Sequence, residues 1–148
     1  MANQARILVI DDDENILKVI SAILKDNGYD VDTASTGAEA VEKSQTQHFD
    51  LMLIDIRLPD MDGTEILTRV KDTTPKIRKV MVTGYPTLQN AVAAVNKGAD
   101  AYVMKPFDVE KMLATVAKQL EKQRQERTFS EERVAEFIET RIKQMGDK

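Results

Sequence analysis

Three aspartates, a lysine and a threonine are the residues of this chain best placed to do chemistry. Asp11 and Asp12 follow the apolar run Arg6-Ile7-Leu8-Val9-Ile10, and Asp55 follows Leu51-Met52-Leu53-Ile54. If those runs are neighbouring strands, three carboxylates converge at one strand end. Two unit charges about 4 Å apart repel by roughly 4 kcal/mol at an effective dielectric near 20, so such a cluster calls for a counter-charge. An oxygen-only ligand set points to a hard cation, Mg²⁺ before Ca²⁺ or Zn²⁺. The same strand-end edge should carry Thr83 and Lys105. A hydroxyl, an ammonium and a divalent ion around one carboxylate are the donors and cations that a phosphoryl group requires. Aspartate is itself a known nucleophile toward phosphorus.

The elements that must position these residues alternate along the chain. The first run is short and rich in β-branched residues, as a strand buried on both faces is. Glu14 to Asn27 carries Ile16, Leu17, Ile20, Ile23 and Leu24 at helical spacing and stops at Gly28. Tyr29 to Ala34 reads as a second strand, and Thr36-Gly37-Ala38-Glu39 opens a helix to about Gln47. Leu51 to Ile54 is the third strand. Asp62-Gly63-Thr64-Glu65 opens a short helix that closes before Pro75. Ile77 to Val82 is the fourth strand, Thr87 to Lys97 the fourth helix, and Ala101 to Met104 the fifth strand. A fifth helix starts at Asp108, with Val109, Met112, Leu113, Val116 and Leu120 as its buried stripe. Five strand–helix repeats imply an α/β fold: a doubly wound, flavodoxin-like parallel sheet flanked by five helices, with ligands beyond the C-terminal strand ends.

Beyond Leu120 the pattern changes. Glu121 to Arg127 has no apolar stripe, so the helix either ends there or runs on through solvent. Thr128-Phe129-Ser130-Glu131 could cap a new helix whose apolar face is Val134, Phe137, Ile138, Ile142 and Met145. We therefore divide the chain into a domain at 1–120 and a C-terminal helical extension at 121–148. That extension could fold back, pair with a second copy or meet a partner.

Composition removes several alternatives. The 148 residues are 42% hydrophobic and 31% charged, the profile of a soluble globular protein, which makes the cytoplasm the expected location. No run approaches the roughly 20 apolar residues that span a bilayer, so no membrane insertion is expected. There is no cysteine, hence no disulfide framework or thiolate site, and the one histidine, His48, sits in a polar stretch and reads as solvated. A net charge of −4 argues against direct nucleic-acid binding.

Four separated blocks resemble the receiver domain of bacterial and archaeal response regulators. They are Ile7 to Asp13, Leu53 to Gly63, Val80 to Gly84, and Gly98 to Phe107 with its Lys105-Pro106-Phe107 ending. The resemblance covers roughly Arg6 to Leu120. It implies strand order 2-1-3-4-5 and a phosphoacceptor switch loaded by a sensor histidine kinase. By this likeness Asp55 takes the phosphoryl group. Asp12 binds Mg²⁺ directly, Asp11 assists, and Arg57 offers its backbone carbonyl. Thr83 and Lys105 hold the phosphoryl oxygens, and the Lys105-Pro106 bond is cis. Asp13, an additional acid, reads as the first helix's N-cap. Thr83 and Tyr102 form the switch pair. Their movement alters the surface of the fourth helix, fifth strand and fifth helix, which meets a downstream protein or a second copy. Gly84 leaves the site open, so the acyl phosphate should hydrolyse readily.

Two other readings compete. The Thr83-Gly84-Tyr85 run and the long fifth helix also resemble receivers that precede an ATPase or DNA-binding output domain, which would make this chain the receiver fragment of a transcriptional regulator. An aspartate-nucleophile phosphatase of the haloacid-dehalogenase type would place a second Asp two residues after the nucleophile, where Arg57 stands. The expectation is a phosphate-accepting module and not an enzyme with substrate turnover.

Overall fold

The structure, a computed structural model, describes residues 4–70, 76–84, 87–106 and 108–146. Pro75, Tyr85, Phe107 and the last two residues of the expected extension, Asp147 and Lys148, lie outside the described residues. Strands β1 (Arg6–Ile10), β2 (Asp30–Ala34), β3 (Leu51–Asp55), β4 (Arg78–Thr83) and β5 (Ala101–Met104) alternate with helices α1 (Glu14–Asp26), α2 (Gly37–Thr46), α3 (Gly63–Arg69), α4 (Leu88–Asn96) and α5 (Val109–Gly146). All strand pairs are parallel, in the order β2-β1-β3-β4-β5. The expected doubly wound sheet is therefore present, with element ends shifted by a residue or so.

Alternation along each strand sorts side chains onto two faces. Ile7, Val9, Leu51, Leu53, Val80 and Val82 pack against α1 and α5 through Leu17, Ile20, Leu24, Met112 and Val116. Leu8, Ile10, Met52, Ile54 and Met81 meet Ala40, Ile66, Leu67 and Ala94 of α2, α3 and α4. Both faces of the central strands are covered, which is why those strands read as unbroken apolar runs.

The helix starts follow the capping chemistry. Asp13 accepts from the amides of Asn15 and Ile16, as expected of an N-cap. Thr36 accepts from Glu39 N, and Asp62 from Thr64 N. Glu39 reaches back to Ser35, one residue further than a strict capping box would take it. The Thr128-Phe129-Ser130-Glu131 segment does not start a new helix. α5 runs through it, and the Thr128 hydroxyl donates to Arg124 O one turn back.

Of the two outcomes expected for Glu121 to Arg127, the helix runs on and does not end, but it is not wholly in solvent. Gln123 is buried and donates to the carbonyl oxygens of Asp50 (2.9 Å) and Lys76 (3.0 Å), at the N-terminal ends of β3 and β4. Arg78, buried in β4, pairs with Asp100 at 3.2 Å and with Glu126 at 2.6 Å. Polar side chains thus hold α5 against the sheet past the end of its apolar stripe. A search for apolar spacing misses such anchoring, because it is made by hydrogen bonds and ion pairs.

Candidate metal and phosphoryl site

Asp55 and Thr83 stand in the last regular pairs of β3 and β4, and Asp11 and Lys105 one step past those of β1 and β5. Asp11 N donates to Ala34 O (3.1 Å), Ile56 N to Val82 O (3.1 Å), and Lys105 N to Thr83 O (2.7 Å). These bonds extend the ladder just far enough to bring Asp11, Asp55, Thr83 and Lys105 to the C-terminal edge of the sheet, the ligand position in such folds. One carboxylate oxygen from each of Asp11, Asp12 and Asp55 lies within 4.8 Å of the others. Asp11 and Asp55 are buried and Asp12 is exposed, so the cluster opens to solvent on one side.

Lys105 reaches over this cluster. Its Nζ lies 2.8 Å from Asp11 Oδ2 and 3.6 Å from Asp55 Oδ2. Burial works against its charge, but the carboxylates of Asp11 and Asp55 outweigh burial and hold the ammonium above its usual range. Burial and the neighbouring charge of Asp11 push the Asp55 carboxyl up to about 6, with Lys105 offsetting part of the rise. Asp11 is oriented from its other oxygen, which accepts from Asp13 N at 2.9 Å. Lys105 thus pairs with two of the three clustered acids, and the oxygen-only set suits a hard divalent ion.

Arg57 is exposed beside the site, and its amide approaches Asp55 Oδ1 at 3.4 Å. Thr83 is buried at the end of β4. Behind it the Tyr102 hydroxyl is shut off from solvent and makes no hydrogen bond of good geometry. Burial pushes this phenol's pKa up, with the side chain of Thr83 pulling the other way. Tyr102 is thus turned inward against the core cluster, not a core ring with its hydroxyl at the surface. The Lys105-Pro106 bond is cis, as the resemblance implied. At Gly84 an added Cβ would touch only Lys105 Cβ, at 3.8 Å, so nothing among the described residues crowds that side. His48 is exposed, with Nε2 3.1 Å from Asp50 Oδ1, at the opposite end of the sheet.

Two supports escaped the sequence reading as site elements. Gly63 N donates to Ile56 O, and a Cβ on Gly63 would collide with the Asp55 carbonyl oxygen. Asp60 accepts from the amides of Gly37 (2.8 Å) and Ala38 (2.9 Å), tying the loop after β3 to the start of α2. The signals were present as a glycine after a turn and an acid in a loop, but their targets are distant in sequence.

The fold and the strand-end acidic cluster together define a class, and comparison with known proteins agrees. The family described as the response regulator receiver domain matches residues 7–117, and this chain belongs to it. The transcriptional regulatory protein ZraR of Klebsiella oxytoca is 37% identical over 144 residues, covering 97% of this chain and 32% of that protein. The response regulator ArlR of Staphylococcus saprophyticus is 35% identical over 122 residues, covering 81% of this chain and 54% of that one. The chain thus spans about a third to a half of these curated relatives. A CheY-like receiver domain protein from Methanospirillum hungatei shares 43% identity at a TM-score of 0.80, covering 84% of this chain and 99% of that one. The BeF3-activated DrrB receiver domain shares 34% at 0.73, covering 80% and 99%.

Receiver domains are phosphoacceptor signalling modules of two-component systems and not turnover enzymes, and family membership implies a histidine kinase partner. Among the described residues no helix is long and apolar enough to cross a membrane.

Proposed function

We propose that Asp55 accepts a phosphoryl group from the phosphohistidine of a partner kinase, with Mg²⁺ held by Asp11, Asp12, Asp55 and the Arg57 carbonyl. The observation that carries this is the convergence of three carboxylates under one lysine, Lys105 Nζ standing 2.8 Å and 3.6 Å from two of them.

In the transfer, an Asp55 carboxylate oxygen forms a bond to phosphorus as the phosphorus–nitrogen bond breaks, and the electron pair leaves with the imidazole. Mg²⁺, held by these ligands, would supply positive charge to offset the charge of the transferring phosphoryl group. Asp11 keeps Lys105 charged and aimed over Asp55, and Thr83, at the end of β4, would donate its hydroxyl to a phosphoryl oxygen. Burial and the charge of Asp11 disfavour the ionised Asp55 in the metal-free protein, a cost that a bound cation would offset. The product adds charge beside Thr83 and Tyr102. It biases two packings of that pair and with them the α4–β5–α5 surface, which meets a downstream protein or a second copy.

The test is to incubate the protein with Mg²⁺ and acetyl phosphate and measure intact mass. Wild type gains one phosphoryl group, and Asp55→Asn and EDTA-treated samples do not. Equal labelling of Asp55→Asn would refute the assignment. A second reading, favoured by the partial coverage of ZraR, is that the same switch governs an output domain of a longer transcriptional regulator. The complete reading frame decides between a free-standing switch and that arrangement.

A further inference from the structure

The sheet-facing stripe of α5 does not stop where the sheet stops. Met112 and Gln123 face the domain and are buried, and Arg127 still reaches it, 4.0 Å from Asp50. Eleven residues are three helical turns to within about 20°. Steps of eleven run from Met112 through Gln123 to Val134 and Met145, and from Val116 through Arg127 to Ile138. The apolar face of the distal helix is therefore the continuation of the face that covers β3 and β4. Past Arg127 it has nothing beneath it among the described residues. Val134, Phe137, Ile138, Ile142 and Met145 are each more than half exposed, from 52% at Ile138 to 73% at Met145. Phe129 lies off this stripe, with Arg133 over its ring at 5.6 Å. Residues 128–146 span roughly 28 Å of helix at 1.5 Å per residue, a length that solvent alone does not reward with an apolar stripe.

We infer that this face pairs with the same face of a second copy, and that the two helices run antiparallel with their crossing near Glu136. Two observations choose that geometry. The first is steric. The stripe is continuous with the face that carries the domain, so in a parallel pair each helix, followed toward its own domain, would enter the space of the other's sheet. An antiparallel partner leads its domain away to the far end. A crossing at Glu136 sets Met145 of one copy opposite Arg127 of the other, where contact with the sheet ends.

The second observation is charge. Between residues 128 and 146, Glu131 and Arg141 are the charged residues within the apolar arc. In a parallel pair each meets its own like charge, which disfavours association. In the antiparallel pair centred on Glu136, Glu131 of each copy opposes Arg141 of the other, twice by symmetry, and Val134 opposes Ile138. This surface is the distal part of α5, past Arg127, and the pairing does not rest on the phosphoacceptor reading.

Sedimentation equilibrium of the unphosphorylated chain over a micromolar concentration range tests it. A monomer–dimer equilibrium is expected for wild type. It should weaken at least tenfold in Ile138→Lys and in Arg141→Glu and return in the Glu131→Arg/Arg141→Glu exchange. The native chain has no cysteine, so direction is read by disulfide trapping. A mixture of Glu131→Cys and Arg141→Cys chains should cross-link, and neither alone should. Monomer at all concentrations, a dimer indifferent to Ile138→Lys, or self-cross-linking of Glu131→Cys alone would each overturn the proposal. Circular dichroism of every variant separates lost pairing from lost helix.

Discussion

Lys105 rests on Asp11 more closely than on Asp55, with its Nζ 2.8 Å from the first carboxylate and 3.6 Å from the second. The cation thus leaves Asp55 undercompensated, and the Asp55 carboxyl is pushed up to about 6 by burial and by Asp11.

That imbalance makes stability depend on pH and on metal. The unfolded carboxyl titrates near 4, below its folded value. Ionising Asp55 therefore opposes folding. Its favourable contribution is complete below about pH 4 and is lost as pH rises through 6. In EDTA at pH 7.5, Asp55→Asn should be more stable than wild type by about 1–3 kcal/mol. At pH 4 the difference should vanish. Thermal melts at both pH values, with and without Mg²⁺, measure this, and Mg²⁺ should stabilise wild type more than the variant.

Tyr102 offers a different test, because its hydroxyl is enclosed without a well-formed hydrogen bond. Removing an unsatisfied buried polar group relieves a desolvation cost. Tyr102→Phe should leave stability unchanged or raise it by up to about 1 kcal/mol, while weakening any phosphorylation-dependent change at α4–β5–α5. A loss of more than about 1 kcal/mol in urea denaturation would show that Thr83 holds the hydroxyl more firmly than the geometry indicates.

Gly63→Ala puts a methyl group against the backbone oxygen of Asp55. Neither backbone can yield cheaply, so the loop carrying Arg57 must move. A destabilisation of about 1–3 kcal/mol and a weaker response of the melting temperature to Mg²⁺ are expected. Unchanged Mg²⁺ stabilisation would show that this close approach does not position the site.

At the other end of the sheet, Gln123→Ala deprives the carbonyls of Asp50 and Lys76 of a buried donor. A loss of about 1–3 kcal/mol is expected with labelling of Asp55 by acetyl phosphate intact. Hydrogen exchange should quicken in α5 from about residue 119 onward. Protection equal to wild type would mean that the helix is held by its apolar contacts alone.

Most of the fold was legible because its signals are local. Buried parallel strands read as apolar runs, Gly28 and Gly98 mark helix ends with left-handed backbone at φ 89° and 102°, and Asp13 caps α1 from adjacent residues. The site residues were legible because each stands at the end of such a run. The hold of Gln123 and Arg78 on distal α5 was not. A glutamine amide carries no periodicity, and its partners lie 47 and 73 residues away.

By itself, then, the sequence determined which strands form, which acids end them, and that an oxygen-ligand cluster would follow if those ends met. Only the tertiary structure decided how the charges share one another there: Lys105 leaning on Asp11, the Asp55 carboxyl pushed up to about 6, Tyr102 enclosed behind Thr83, and Gly63 pressed against the Asp55 backbone. It also decided that α5 continues unbroken with its sheet-facing stripe exposed beyond Arg127. The physical reason is the range of the interactions. Strand and helix preferences act over neighbouring residues, whereas burial and Coulomb terms depend on distances that exist only once residues 11, 55, 83 and 105 are brought together.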